Sequence, residues 1–126
     1  MSARILIADD EADIRRLIAV TLRRRGYTVL EAGAGDAALE LVREMRPDLV
    51  VLDVAMPGMS GLEVTQALAA DAATTAIPIL LLSASTQETQ IRAGLQSGAR
   101  AYFTKPFEPR VLAARVAELL VPGGDE

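Results

Sequence analysis

The 126-residue chain has no cysteine, no histidine and no tryptophan. Without cysteine there is neither a disulfide framework nor a thiolate site, which suits a cytoplasmic protein. Without histidine the chain lacks the usual general base, the commonest zinc ligand and any internal phospho-histidine acceptor. Aromatic residues are only 3% of the chain, so Leu, Ile, Val and Ala have to build the core. No apolar run reaches the length of a membrane span, and Ile5-Leu6-Ile7-Ala8 is too short for a signal-peptide core. Basic residues are outnumbered, giving a net charge of -4. That charge offers no electrostatic footprint for nucleic acid or for an anionic membrane. The expectation is a soluble, cytoplasmic protein with no direct nucleic-acid or membrane contact.

Apolar content is ample at 51%, enough for one domain with a single sizeable core. That domain is expected over residues 1–121, followed by a flexible tail at 122–126 of Pro, Gly and acidic residues. Short apolar runs at Ile5–Ala8, Thr28–Ala32, Leu49–Leu52, Ile77–Ser83 and Ala101–Thr104 read as strands. Between them lie helical patterns. Ile14, Leu17, Ile18, Thr21 and Leu22 recur at helical spacing, with Arg15, Arg16, Arg23 and Arg24 forming a solvated face and Gly26 closing the helix. Ala38, Leu41, Val42 and Met45 form a second stripe that stops at Arg46-Pro47. Further helices are predicted at 60–70, 86–97 and 108–120. The helix at 86–97 is the weakest, with Gly94 inside it and few large apolar residues besides Ile91 and Leu95. Strict alternation of strand and helix implies an α/β fold, a parallel sheet covered on both sides by right-handed crossovers. The chain is too short for an eight-stranded barrel, so the sheet is open.

In such a sheet the carboxyl ends of all strands share one edge, where open α/β folds place their ligands. Asp9 and Asp10 end the first strand, Asp53 the third and Ser83 the fourth, while Lys105 follows the fifth. Each has an ordinary structural reading: a helix cap, a turn opener, a strand-end hydroxyl, a solvated lysine. The joint placement of all of them on one edge is not explained that way. Converging carboxylates call for a neutralising cation. With oxygen donors alone, that cation is a hard one, Mg2+ before Ca2+ or Zn2+.

The Asp9-Asp10 pair, Asp53 before Met56-Pro57 and Gly61, Ser83-Ala84, and Lys105-Pro106-Phe107 stand in an order and spacing that resembles the receiver domain of bacterial two-component response regulators, the chemotaxis regulators included. The resemblance covers essentially the whole chain. It implies a flavodoxin-like, doubly wound five-stranded sheet of order 2-1-3-4-5. It further implies that Asp53 accepts a phosphoryl group from a sensor histidine kinase or phosphotransfer protein. Asp10, Asp53 and the backbone carbonyl of Ala55 would hold Mg2+, with Asp9 assisting, while Lys105 and Ser83 would contact the phosphoryl oxygens. Ser83 and Tyr102 would carry the switch to an unknown downstream protein, and the Lys105-Pro106 bond would be cis. Self-phosphorylation and self-dephosphorylation would be the only chemistry, and the unphosphorylated form is expected to be a monomer. Arg100 and Ala101 stand where receivers that dimerise to bind DNA often carry an acidic pair, so that type is not expected. The chain is read as a stand-alone receiver or one cut from a longer protein. Two alternatives stay open: a receiver-like module that binds partners without phosphorylation, and an Asp-nucleophile phosphatase. The second lacks its usual acid/base Asp, since Ala55 occupies that position.

Overall fold

Each of the five apolar runs forms a strand, and each strand is followed by a helix. The computed structural model describes residues 2–121; the tail expected at 122–126 lies outside them. In chain order the elements are β1 (Arg4–Ala8), α1 (Ala12–Arg23), β2 (Thr28–Ala32), α2 (Gly35–Met45), β3 (Leu49–Asp53), α3 (Gly61–Ala69), β4 (Ile79–Ser83), α4 (Glu88–Gln96), β5 (Ala101–Thr104) and α5 (Pro109–Leu120). All four strand pairings are parallel, in the order β2-β1-β3-β4-β5. This is the flavodoxin-like, doubly wound sheet that the resemblance implied.

Period-two alternation sends successive side chains to opposite faces, and two cores result. Ile5, Ile7, Leu49, Val51, Leu80 and Leu82 pack against Ile18 and Leu22 of α1 and Leu112 and Val116 of α5. Leu6, Ala8, Val50, Leu52, Ile79 and Leu81 pack against Leu39 and Val42 of α2 and Val64 and Leu68 of α3. β3 and β4 are buried at every position, as strands covered on both faces must be.

Local signals set the helix ends. Ser60 accepts the Glu63 N–H (3.1 Å) and the Glu63 carboxylate accepts the Ser60 N–H (2.9 Å), a capping box that starts α3. Arg46 ends α2 in the left-handed region, φ 48, just before Pro47. Gly26, at φ 94, turns the chain after α1.

The structure departs from the sequence reading in a few places. β4 begins at Ile79 rather than Ile77, because the Ile77 N–H turns back to the Thr74 carbonyl at 3.0 Å, while the Thr74 hydroxyl ties that turn to α3 by donating to the Leu68 carbonyl at 2.8 Å. α4 is shorter than 86–97. Leu17 and Met45 point outward, 48% and 36% exposed, and Ala19 and Leu39 take the inward positions instead. Neither Asp9 nor Asp10 caps α1. Glu11 holds the cap position, with no side-chain hydrogen bond to the helix.

Candidate functional site

The sheet register brings the strand ends level. Ala8 pairs with Leu52, Leu52 with Leu81 and Leu81 with Tyr102, so Asp9, Asp53, Leu82 and Phe103 form the next row. Backbone bonds tie this edge together: Asp9 N–H donates to the Ala32 carbonyl (3.1 Å), Val54 N–H to Leu82 (2.8 Å) and Lys105 N–H to Ser83 (2.8 Å). The Lys105-Pro106 bond is cis.

Asp53 is 4% exposed and Asp9 fully buried, while Asp10 faces solvent. One carboxylate oxygen from each of the three lies within 4.8 Å of the others. The Lys105 ammonium sits among them, 3.0 Å from Asp9 Oδ2, 3.0 Å from Glu11 Oε1 and 3.3 Å from Asp53 Oδ2. Burial, then the charges of Asp9 and Asp10, push the Asp53 pKa up to about 6 against the pull of Lys105. Burial alone would lower Lys105, but its bond to Glu11 and the charges of Asp9 and Asp53 hold it above the ordinary lysine value.

Asp9 Oδ1 accepts the Glu11 N–H at 2.9 Å. Its Oδ2 is near the Lys105 ammonium but off the hydrogen-bonding direction, and this buried oxygen has no hydrogen-bond partner among the described residues. An orphaned buried carboxylate oxygen is costly. Together with two more carboxylates and no nitrogen or sulfur donor, it fits a hard, oxygen-seeking divalent cation. Ala55 is exposed in the turn that follows β3. Gly61 is required there: a Cβ at that position would lie 2.3 Å from the Asp53 carbonyl oxygen.

Ser83 is 7% exposed, and its hydroxyl oxygen accepts the Ser85 N–H at 3.0 Å. Tyr102 is half-buried on the α4 side of the sheet, and its hydroxyl donates to the Ser85 carbonyl at 3.4 Å. Ser83 and Tyr102 are therefore linked through the backbone of one residue.

Two residues at this edge escaped the sequence reading. Glu11, next in the chain after Asp9 and Asp10, is a third anion on Lys105. Arg15 was assigned to a solvated face, yet it is partly buried, donating to the Asp9 carbonyl (2.8 Å) and pairing with Glu31 (3.2 Å). Arg23 also reaches Glu31, at 3.4 Å. The only hint in the sequence was Glu31, an acid within the strand that follows the arginine-bearing helix.

Residues 5–117 match the response regulator receiver domain. The DNA-binding response regulator MtrA of Mycobacterium tuberculosis H37Rv is 43% identical over 126 residues, all of this chain and 54% of its own length. The phosphate regulon transcriptional regulatory protein PhoB of Pseudomonas aeruginosa is 46% identical over 116 residues, 92% of this chain and 51% of its own. Among solved structures, the chemotaxis response regulator CheY4 of Vibrio cholerae superposes with a TM-score of 0.89 at 32% identity, covering 95% of this chain and 100% of that one. The chain thus spans about half the length of the curated relatives it matches. Their names correct one expectation: nucleic acid cannot be struck from the partners on a net charge of -4, since a relative matching the whole chain is named DNA-binding. That charge describes only the matching stretch and bears on no other part of such a protein. The discount drawn from Arg100 and Ala101 falls with it.

Proposed function

The chain belongs to the response regulator receiver domain family, whose members are switches in bacterial signal transduction, and from that premise we propose that Asp53 is its phosphoacceptor. The observation that carries this reading is Asp53 itself, buried between two other carboxylates and 3.3 Å from an ammonium. With its pKa near 6, Asp53 is mostly ionised at neutral pH and attacks without a general base. An Asp53 oxygen bonds to the phosphorus of a phospho-histidine on a sensor kinase or phosphotransfer protein. The P–N bond breaks, and its electron pair stays on the imidazole nitrogen. In the return step water adds to phosphorus, the bond to Asp53 breaks, the carboxylate is regenerated, and inorganic phosphate leaves with the oxygen and protons of the water.

Receiver domains use Mg2+ at an acidic pocket of this kind. Asp10, Asp53 and the Ala55 carbonyl, helped by Asp9, would hold it here, where it would offset the carboxylate and phosphoryl charge. Lys105 supplies a second positive charge beside the phosphoryl oxygens. The Ser83 hydroxyl accepts from Ser85, which leaves its own hydrogen free to donate to them.

Movement of Ser83 toward the phosphoryl group would pull on Ser85 and, through the Ser85 carbonyl, on Tyr102. The signal would leave by the face made of α4, β5 and α5. Given the names of the matched relatives, control of transcription through DNA is the proposed output, exerted by a longer protein in which such a domain sits.

The test is intact-mass measurement after incubation with Mg2+ and acetyl phosphate, with Asp53→Asn alongside. One phosphoryl group on the wild type, absent without Mg2+ and absent in the variant, is the expected result. No adduct on a folded wild type would favour a module that signals by contact alone.

A further inference from the structure

We propose that Glu11 is a displaceable counter-ion of Lys105, competing with the incoming phosphoryl group and setting how readily Asp53 is modified; this rests on Asp53 being the phosphoacceptor. The ammonium carries three N–H donors and faces three carboxylates: Asp9 Oδ2 at 3.0 Å, Glu11 Oε1 at 3.0 Å and Asp53 Oδ2 at 3.3 Å. Of these, only the contact to Glu11 is an aligned hydrogen bond, so a phosphoryl oxygen approaching the same ammonium competes with Glu11 first. Asp53 is the reacting group itself. Asp9 is fully buried, and its other oxygen is held by the Glu11 N–H, so it has nowhere to go. Glu11 differs from both. Its side chain is 59% exposed, and its bond to Lys105 spans 94 residues of chain.

Glu11 also sits at the N-cap of α1, where a carboxylate ordinarily accepts the free N–H groups of the first turn. It makes no such bond. The side chain is drawn to Lys105 instead, leaving the helix N-terminus as a second resting place once it is released. The Glu11 end of the pair is open to solvent, which weakens its hold, so Glu11 is a contact that a phosphoryl anion can replace. Its negative charge beside the nucleophile also repels an anionic phosphodonor.

Glu11→Gln keeps the shape and removes the charge. Asp13→Asn makes the same charge change two residues on, at an exposed position in the first turn of α1. Phosphoryl uptake from acetyl phosphate with saturating Mg2+ is timed by intact mass at low and high salt. Side-chain ammonium NMR of Lys105 is recorded on the unphosphorylated, metal-free proteins. Glu11→Gln is expected to take up the phosphoryl group roughly two- to fivefold faster at low salt, with the gain shrinking at high salt. It is also expected to move the Lys105 ammonium signal, while Asp13→Asn does neither. A Glu11→Gln rate equal to or below the wild type, or equal acceleration by Asp13→Asn, overturns the role of Glu11 while leaving Asp53 as the acceptor. A folded wild type that takes up no phosphoryl group overturns the phosphoacceptor reading, and the role of Glu11 with it.

Discussion

Asp53 sits in conflict with its surroundings. Burial and the carboxylates of Asp9 and Asp10 raise its pKa to about 6, against about 3.9 for an unfolded aspartate. The folded state therefore holds the proton more tightly than the unfolded one. The stability linked to Asp53 is full below about pH 4 and is lost as the pH rises through about 6. The difference amounts to on the order of 2 to 3 kcal/mol. Asp53→Asn never ionises, so in metal-free buffer at pH 7.5 it should be more stable than the wild type by about that amount. By pH 4, where Asp53 of the wild type is itself protonated, the gap should shrink. Urea unfolding at several pH values checks this, and parallel curves would refute it. Adding Mg2+ at pH 7.5 should raise the wild-type midpoint and narrow the gap, because a ligand of the folded state stabilises it; no movement would leave the orphaned Asp9 oxygen without its expected partner. Asp9, Asp53 and Lys105 were legible because each directly ends or follows an apolar run. Glu11 and Arg15 were not, because their partners Lys105 and Glu31 lie far off in the sequence and are set by packing rather than by spacing.

At the start of α3, two neighbouring residues do different work. Ser60 caps the helix reciprocally with Glu63, and Ser60→Ala should cost about 1 kcal/mol without disturbing the Asp53 resonances. Gly61→Ala changes only one methyl group, but that methyl meets the Asp53 backbone carbonyl at 2.3 Å, which cannot swing aside as a side chain can. Its cost should be larger, about 2 to 3 kcal/mol, and the Asp53 amide should shift. Urea unfolding and an amide NMR spectrum of each variant separate the two effects; a Gly61→Ala protein as stable as Ser60→Ala would mean the turn yields easily. This helix was legible to its ends because Ser-x-x-Glu is a local signal. The start of β4 was not. Ile77 continues the apolar pattern of the strand, but its N–H is taken by the Thr74 carbonyl at 3.0 Å, and a local turn competed successfully with the sheet. Likewise the outward Leu17 and Met45 fit helical spacing, but packing chose Ala19 and Leu39, which sit closer to the sheet.

Over the whole molecule, alternation of strands and helices announced an open parallel sheet, but not the position of β1 between β2 and β3. That order depends on which strands pair across long separations, and it became legible only through the family motif. The two faces are also unequally covered. α1 and α5 bury broad stripes against one face, and α2 and α3 do so against the other. α4 buries only Gly94, leaving Leu95 43% exposed. A Cβ on Gly94 would meet Leu81 Cδ1 and Tyr102 Cδ2, each at 3.0 Å, so the helix lies closely against Tyr102 while contributing little apolar area. It should open at a free energy well below that of global unfolding, its amides exchanging at least roughly tenfold faster than those of β3 and β4. The bonds from Ser83 to Ser85 and from Ser85 to Tyr102 connect this loosely held element to the phosphoryl site. Mg2+ with beryllofluoride, a phosphoryl mimic, should therefore change exchange in α4 more than in α2. Tyr102→Phe removes the bond to Ser85 and keeps the ring. In that variant the mimic should still bind, while the change in α4 exchange should be smaller. If α4 exchange responds equally with and without the Tyr102 hydroxyl, the signal reaches that face by another route.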